Sequence, residues 1–164
     1  SFSFGPGEIE DGLTLLSAAP LLVAHNGLCF DAPAIRKLYP RVTFPPLFYT
    51  LTASRLIWPN LKDLDFTALR KKSCRFPPKL TGSHSLDAWG QRLGVMKGDY
   101  GKTTENAWDR WSEAMQRYCE QDVAVLEALY RHILNQRYSP EALALEHEFQ
   151  TVIFHQERAG VWFD

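Results

Sequence analysis

Apolar residues along the chain fall in short clusters separated by Gly, Pro and polar breaks. Residues 1–4, Ser-Phe-Ser-Phe, alternate with a period of two and read as the end of a strand running into Gly5-Pro6-Gly7. Residues 8–19 read as a short helix with Leu13, Leu16 and Ile9 inward, stopped by Pro20. The run Leu21-Leu22-Val23-Ala24 is continuously apolar and bounded by turn signals, the pattern of a buried strand. It ends at His25-Asn26-Gly27. Asp31 then stands where a helix N-cap belongs, with Pro33 just inside a helix over 32–39. A strand, a tight turn and a helix make half of a βαβ unit.

Residues 48–58 mix both signals and predict a short strand followed by a helix over 52–57. A further short helix is expected over 62–70. Residues 70–79 form a loop carrying Arg70, Lys71, Lys72, Arg75 and Lys79, closed by Pro77-Pro78. Ser83 is read as the N-cap of a helix over 86–93, which Gly94 ends. Residues 104–136 are the longest periodic stretch and predict two helices, the second starting near 108 or later and ending at 135. Ser139-Pro140-Glu141 combines a cap, a first-turn proline and an acidic first turn. It opens a last amphipathic helix with Leu145, Phe149, Val152 and Ile153 on one face, ended by Gly160. Strands alternating with helices predict an α/β fold.

Composition narrows the class. A chain of 164 residues with 45% hydrophobic and 23% charged residues is long enough for one packed domain and is not a collagen, a coiled coil or a disordered tail. The net charge of −1 removes bulk electrostatics as a sign of nucleic-acid binding, so any such contact must be local. Cys29, Cys74 and Cys119 are odd in number and lack CxxC spacing, which fits reduced thiols in a cytoplasmic protein rather than a disulfide framework or zinc site. No secretory signal follows Ser1, and no apolar run is long enough to span a bilayer, so no membrane partner is expected.

Two carboxylates stand out by context. Asp31 lies just past the C-terminal end of a buried strand, where open α/β sheets place ligands, although a plain helix cap is the simpler local reading. Asp122 lies within the long helix, four residues after Tyr118, so both share a face. If that face looks at the strand end, a phenol and two carboxylates converge. Oxygen ligands of this kind suit Mg²⁺ or Mn²⁺, and paired divalent ions suit in-line attack of water on a phosphodiester. The Tyr118 hydroxyl is then placed to orient that water. His25 beside the strand end is read as touching substrate or as a structural histidine, and His84 as part of a capping turn. The basic loop over 70–79 reads equally as a phosphate contact or as a solvated loop. Glu8-Ile9-Glu10-Asp11 reads as a first-turn charge cluster.

These residues resemble a known family. The run from Leu22 through His25-Asn26-Gly27 to Phe30-Asp31 looks like the second exonuclease motif of proofreading nucleases with a DnaQ-like, ribonuclease H-like fold. Tyr118-Cys-Glu-Gln-Asp122 looks like their third. Ser54-Arg-Leu-Ile57, Asn60-Leu-Lys-Asp63 and the stretch from Gly82 through Trp89 to Gly94, followed by Met96-Lys-Gly98, resemble the family A DNA polymerases of podovirus-type bacteriophages. So does the tail from Glu148 through Gly160 to Asp164.

The resemblance implies an α/β, ribonuclease H-like mixed sheet flanked by helices. Residues 1–138 would be the exonuclease domain, and 139–164 the connecting helix and turn into a polymerase domain of the same parent chain. It implies stepwise removal of nucleotides from a single-stranded DNA 3′ end with two divalent cations. Asp31 and Asp122 would be metal ligands, Tyr118 would orient the water, and Asn26 and His25 would contact substrate. DNA, the polymerase domain and other replication proteins would be the partners, in the cytoplasm of an infected bacterial host. Two departures matter. The family's first motif, Asp-x-Glu, is expected upstream of Ser1 together with the first strands, and Tyr49-Thr50 stands where relatives often carry Asp-Thr. The chain as it stands is therefore expected to be weakly active or inactive. Two other readings stay open: a non-catalytic module that guides DNA, and a ribonuclease of the same fold.

Overall fold

The computed structural model describes residues 2–70, 76–96, 98, 100, 107–160 and 162. Helix α1 (Ile9–Ala18) follows a 3₁₀ turn at Pro6–Glu8, in which the Gly5 N–H donates to the Glu8 carboxylate at 2.9 Å. Leu13 and Leu16 are half-buried as the periodicity predicts, but Ile9 is exposed, because it opens the helix one turn beyond the packed part. Residues 2–5 do not form the expected strand end. Alternation alone does not make a strand; a ladder partner is needed, and among the described residues these have none. Side-chain bonds tie the segment down instead. The Ser3 hydroxyl donates to Glu120, the Gln116 amide donates to Ser3, and Phe4 packs on Gly12.

Strand β1 (Leu22–Ala24) pairs in parallel with β2 (Leu47–Tyr49), Val23 opposite Phe48. Helix α2 (Asp31–Leu38) makes the crossover, which completes the βαβ unit whose first half the sequence predicts. Of the expected mixed sheet, the described residues contain this parallel pair. β1 is half-buried rather than buried, since a two-stranded sheet leaves one of its edges uncovered.

Helices α3 (Thr50–Ile57) and α4 (Leu61–Leu69) form where the sequence predicts them. Helix α5 (Leu86–Leu93) does too, and Gly94 ends it at φ 70°, a left-handed conformation that glycine adopts without strain. Its N-cap is Ser85, not Ser83. The Ser85 hydroxyl accepts the Ala88 N–H at 3.3 Å, while Ser83 donates to Ser85 at 3.0 Å and braces the cap from outside. Helix α6 (Glu113–Asn135) is capped by Ser112, which accepts the Met115 N–H at 3.1 Å. The preceding helix expected from residue 104 falls partly on residues outside those described. Helix α7 (Pro140–Ala159) starts as predicted, with Ser139 accepting the Ala142 N–H at 3.2 Å.

The face that α7 buries differs from the predicted one. Leu145, Phe149 and Val152 are exposed, and only Ile153 of the expected stripe is half-buried. The packed side carries Leu143, His147 and Phe154. His147 decides the rotation of the helix. Its Nε2 accepts the Tyr49 N–H at 2.8 Å, and its Nδ1 lies 2.6 Å from the Leu143 carbonyl. A buried backbone N–H at a strand end must find an acceptor, and here a histidine supplies it.

The main core joins Ala53, Leu61, Trp89, Leu129 and Ile133, so α3, α4, α5 and α6 meet there. A smaller core of Leu28, Tyr49 and Phe154 fixes the turn after β1 to β2 and α7.

Candidate active site

The turn after β1 is built from its own backbone. The N–H groups of Cys29 and Phe30 donate to the Asn26 carbonyl at 3.2 Å, and Ala32 donates to the Gly27 carbonyl at 2.8 Å. Gly27 is required by close approach, because a Cβ there would lie 2.5 Å from the Ala24 Cβ. It would also reach within 3.8 Å of the Asp31 carboxylate. This turn delivers Asp31 as the first residue of α2, with Phe30 as the N-cap residue. Asp31 is therefore not the cap. Among the described residues its carboxylate makes no side-chain hydrogen bond, and it stands exposed.

Asp31 opens onto a cavity of about 340 Å³ that runs along β1, walled by Leu22, Val23 and Ala24, to the C-terminal end of the strand. Asp122 of α6 lines the same cavity, half-buried, together with His25, Leu86 and Val123. The structure thus brings together the two carboxylates and one of the two predicted substrate contacts. Tyr118 sits one turn before Asp122 on α6 and does not line that cavity. Its half-buried ring packs against Tyr100 and Trp108, with centroids 6.0 and 5.7 Å away. Asn26 does not line it either. It faces a second cavity of about 240 Å³, with Thr52, Arg55 and Gln150, and His25 walls both.

His25 is held by Thr50, which the sequence marks only as the neighbour of Tyr49 and to which it gives no role. Its Nδ1 lies 3.0 Å from the Thr50 hydroxyl, and Thr50 donates to the Ala24 carbonyl at 3.4 Å. Thr50 is wholly buried at the β2–α3 junction, so it ties the histidine to the strand end. A polar residue opening a helix directly after a strand was the available signal. Beside it Tyr49 is buried, with its ring stacked on His147 at 5.2 Å. Burial pushes the Tyr49 phenol up, against a hydrogen bond from Thr151 and the charge of Arg36, so it stays protonated at neutral pH.

The His84 backbone passes through the capping turn as expected, but its side chain takes no part in it. Ser83 and Ser85 build that turn, and His84 points inward to the Ser54 hydroxyl at 3.0 Å. Burial lowers its pKa first, and the charges of Arg55 and Arg92 lower it further against the pull of Asp65. Of the basic loop, Arg70 and Lys79 are described, while Lys71, Lys72 and Arg75 lie outside the described residues, as does Cys74. The acidic run Glu8, Glu10 and Asp11 lies on the surface at the start of α1.

The donor set can be tested against divalent ions. Mg²⁺ takes about six oxygen ligands in octahedral geometry and is usually held by carboxylates plus substrate phosphate. Asp31 and Asp122 supply two carboxylates, and among the described residues no group of three or more His, Cys, Asp or Glu is arranged to hold a metal ion. The described residues therefore fall short of a two-ion centre by themselves. No described helix is long and apolar enough to cross a membrane.

Comparison with known proteins gives a consistent picture. The DNA-directed DNA polymerases of Enterobacteria phage T3 and Escherichia phage T7 are each 34% identical to this chain over 206 aligned positions, covering 99% of it. The chain spans 29% of the length of these curated relatives. Residues 6–134 match the RNase_H_2 family, a stretch running from the 3₁₀ turn before α1 almost to the end of α6 and including both carboxylates. With that match over most of its length, and with a parallel βαβ unit at its centre, the chain belongs to the RNase H superfamily.

Proposed function

We propose that this chain is the 3′–5′ exonuclease domain of a phage DNA polymerase, removing mismatched nucleotides from a single-stranded DNA 3′ end. One observation carries the reading: Asp31 and Asp122, from separate elements, open into one cavity that reaches the C-terminal end of β1 in an RNase H superfamily chain. That is where an α/β sheet presents ligands. Hydrolysis of a phosphodiester needs a water aligned with the scissile bond and stabilisation of charge on phosphate oxygens. Divalent cations, Mg²⁺ or Mn²⁺, would supply the second, with Asp31 and Asp122 as two of their ligands. Tyr118, one turn from Asp122, would orient the water, and His25 and Asn26 would contact the substrate strand. Residues 1–138 would form the exonuclease unit and 139–164 the link to the polymerase domain, acting with other replication proteins in the bacterial cytoplasm.

Two carboxylates are few for this chemistry, so the 164-residue chain alone is expected to turn over slowly. The same shortfall favours, as a second reading, an exonuclease-like module that guides DNA without cutting it. End-labelled single-stranded DNA with Mg²⁺ or Mn²⁺ separates them. Slow, cation-dependent release of 5′-mononucleotides that disappears in Asp122→Ala supports the enzyme. No release, or equal release by the variant, leaves the guiding module. An RNA strand degraded faster than DNA would turn the assignment to a ribonuclease.

A further inference from the structure

We propose that the second cavity is a phosphate subsite, through which α3 and α7 grip the backbone of the strand whose end lies at Asp31 and Asp122. This rests on the nuclease reading and extends it to residues that no motif marks. The cavity lies between the turn after β1, the body of α3 and the face of α7. Its walls present donors: the guanidinium of Arg55, the amides of Asn26 and Gln150, and the hydroxyl of Thr52. Arg55 is the central feature. Among the described residues its guanidinium takes part in no hydrogen bond or ion pair, although its charge reaches His84. The cation is therefore available to a ligand. At about 240 Å³ the space falls below the roughly 300 Å³ at which pockets for drug-sized molecules begin. It fits a phosphate with its water better than a base with its sugar. The Tyr49 wall offers little ring surface to a base, since the residue is buried and one face of its ring stacks on His147. The shared wall at His25 puts this subsite directly beside the carboxylates.

One group opposes the ligand. Glu157 lies one helical stretch beyond Gln150 on α7 and lines the same cavity. Its carboxylate weakens the hold on an anion, which gives the proposal a second sign to test.

The experiment measures binding of a labelled oligothymidylate to the 164-residue chain by fluorescence anisotropy in EDTA, at several salt concentrations. Arg55→Ala is expected to weaken binding about tenfold and to reduce the salt slope by about 0.7, the value for one phosphate contact on a single strand. Arg55→Lys should restore part of the loss, and Glu157→Gln should tighten binding about twofold. Equal affinity and slope in wild type and Arg55→Ala overturns the subsite, as does a wild type that does not bind the strand. Should inorganic phosphate bind wild type but not Arg55→Ala, while the oligonucleotide binds both equally, the cavity takes free phosphate and the backbone assignment falls. Failure of the nuclease reading looks different: Arg55→Ala then weakens binding, yet no cation-dependent cleavage accompanies it.

Discussion

Two aspartates in this molecule have opposite surroundings. Asp65 of α4 is almost closed off from solvent, and although it borders a cavity together with Arg92, both of its oxygens are bonded. Arg92 of α5 donates to its two oxygens at 3.0 and 2.7 Å, and the Gly82 N–H donates at 2.8 Å. Arg92 also donates to the Ser83 carbonyl at 2.8 Å, and it lies 4.9 and 5.0 Å from the rings of Phe76 and Trp89. Asp31 stands exposed at a cavity mouth and makes no side-chain hydrogen bond among the described residues. The first arrangement spends its charge on holding α4, α5 and the loop before α5 together. The second keeps a carboxylate available to something outside the chain. Charge that is fully paired inside a fold is structural; charge left open beside a cavity is where chemistry is expected.

The strongest test breaks the closed site. Arg92→Ala strands the Asp65 carboxylate in a buried position, and such losses cost about 3–5 kcal/mol. Thermal or denaturant unfolding should show it as a large drop in midpoint. The open site should respond in the reverse way. Asp31→Asn is expected to shift stability by no more than about 0.5 kcal/mol, as for a surface substitution. It should lower cleavage of end-labelled DNA by about 100-fold, the scale for losing one group that stabilises the transition state. A comparable unfolding shift in the two variants would abolish the distinction.

Acid should separate the contributions by pH. Burial lowers the pKa of His132, which stacks on Trp58 at 5.1 Å, and burial with two arginine charges lowers that of His84. A histidine whose folded pKa is depressed supports stability above its unfolded value of about 6.5. That support is lost as pH falls from there through the folded value. Asp65 acts lower down. Burial raises its carboxyl, but the Arg92 hydrogen bonds, the Gly82 N–H and the Arg92 charge outweigh this and leave it below the usual carboxylate range. Its contribution is present above about pH 3.9 and disappears as pH falls through the lowered value. Melting temperature against pH should therefore decline in two steps. His132→Gln should flatten the upper step and leave the lower one. One smooth decline, unchanged in that variant, would contradict this division.

The sequence makes the open site easier to read than the closed one. Asp31 and Asp122 stand out by context: one follows a strand end, and the other lies among apolar helix residues, while its spacing from Tyr118 is by itself a weak signal. The βαβ unit, the bounds of α3 to α5 and the cap at Ser139 are likewise local, because turn residues and apolar period determine them. Asp65 and Arg92 carry no such signal. Their pairing depends on α4 and α5 meeting, and a lone charge in an amphipathic helix normally reads as a solvated face. The face of α7 fails for the same reason. Leu145, Phe149 and Val152 are the more apolar stripe, but the acceptor that the Tyr49 N–H needs is His147, and satisfying it turns that stripe outward. Ser85 displaces Ser83 as cap because hydrogen-bond geometry chooses between neighbouring serines where propensity does not.

The smallest expected effect sharpens the comparison most. Arg131 and Glu127 lie on α6 with i,i+4 spacing, and their contact of 2.6 Å is as short as the 2.7 Å between Arg92 and Asp65. If distance set the strength of an ion pair, the two would be equals. Their surroundings say otherwise. The side chains of Arg131 and Glu127 are 75% and 59% exposed, against 12% and 7% for the buried pair. Water and salt screen the exposed charges, and two long side chains lose rotamer freedom when they meet, so such pairs contribute about 0.3–0.5 kcal/mol. Arg131→Ala leaves Glu127 solvated, whereas Arg92→Ala leaves the Asp65 carboxylate buried with the Gly82 N–H and no opposing charge. Urea unfolding should place the Arg131→Ala midpoint near wild type, with the small difference fading at high salt. A loss approaching that of Arg92→Ala would mean that contact distance, not burial, determines what these pairs are worth.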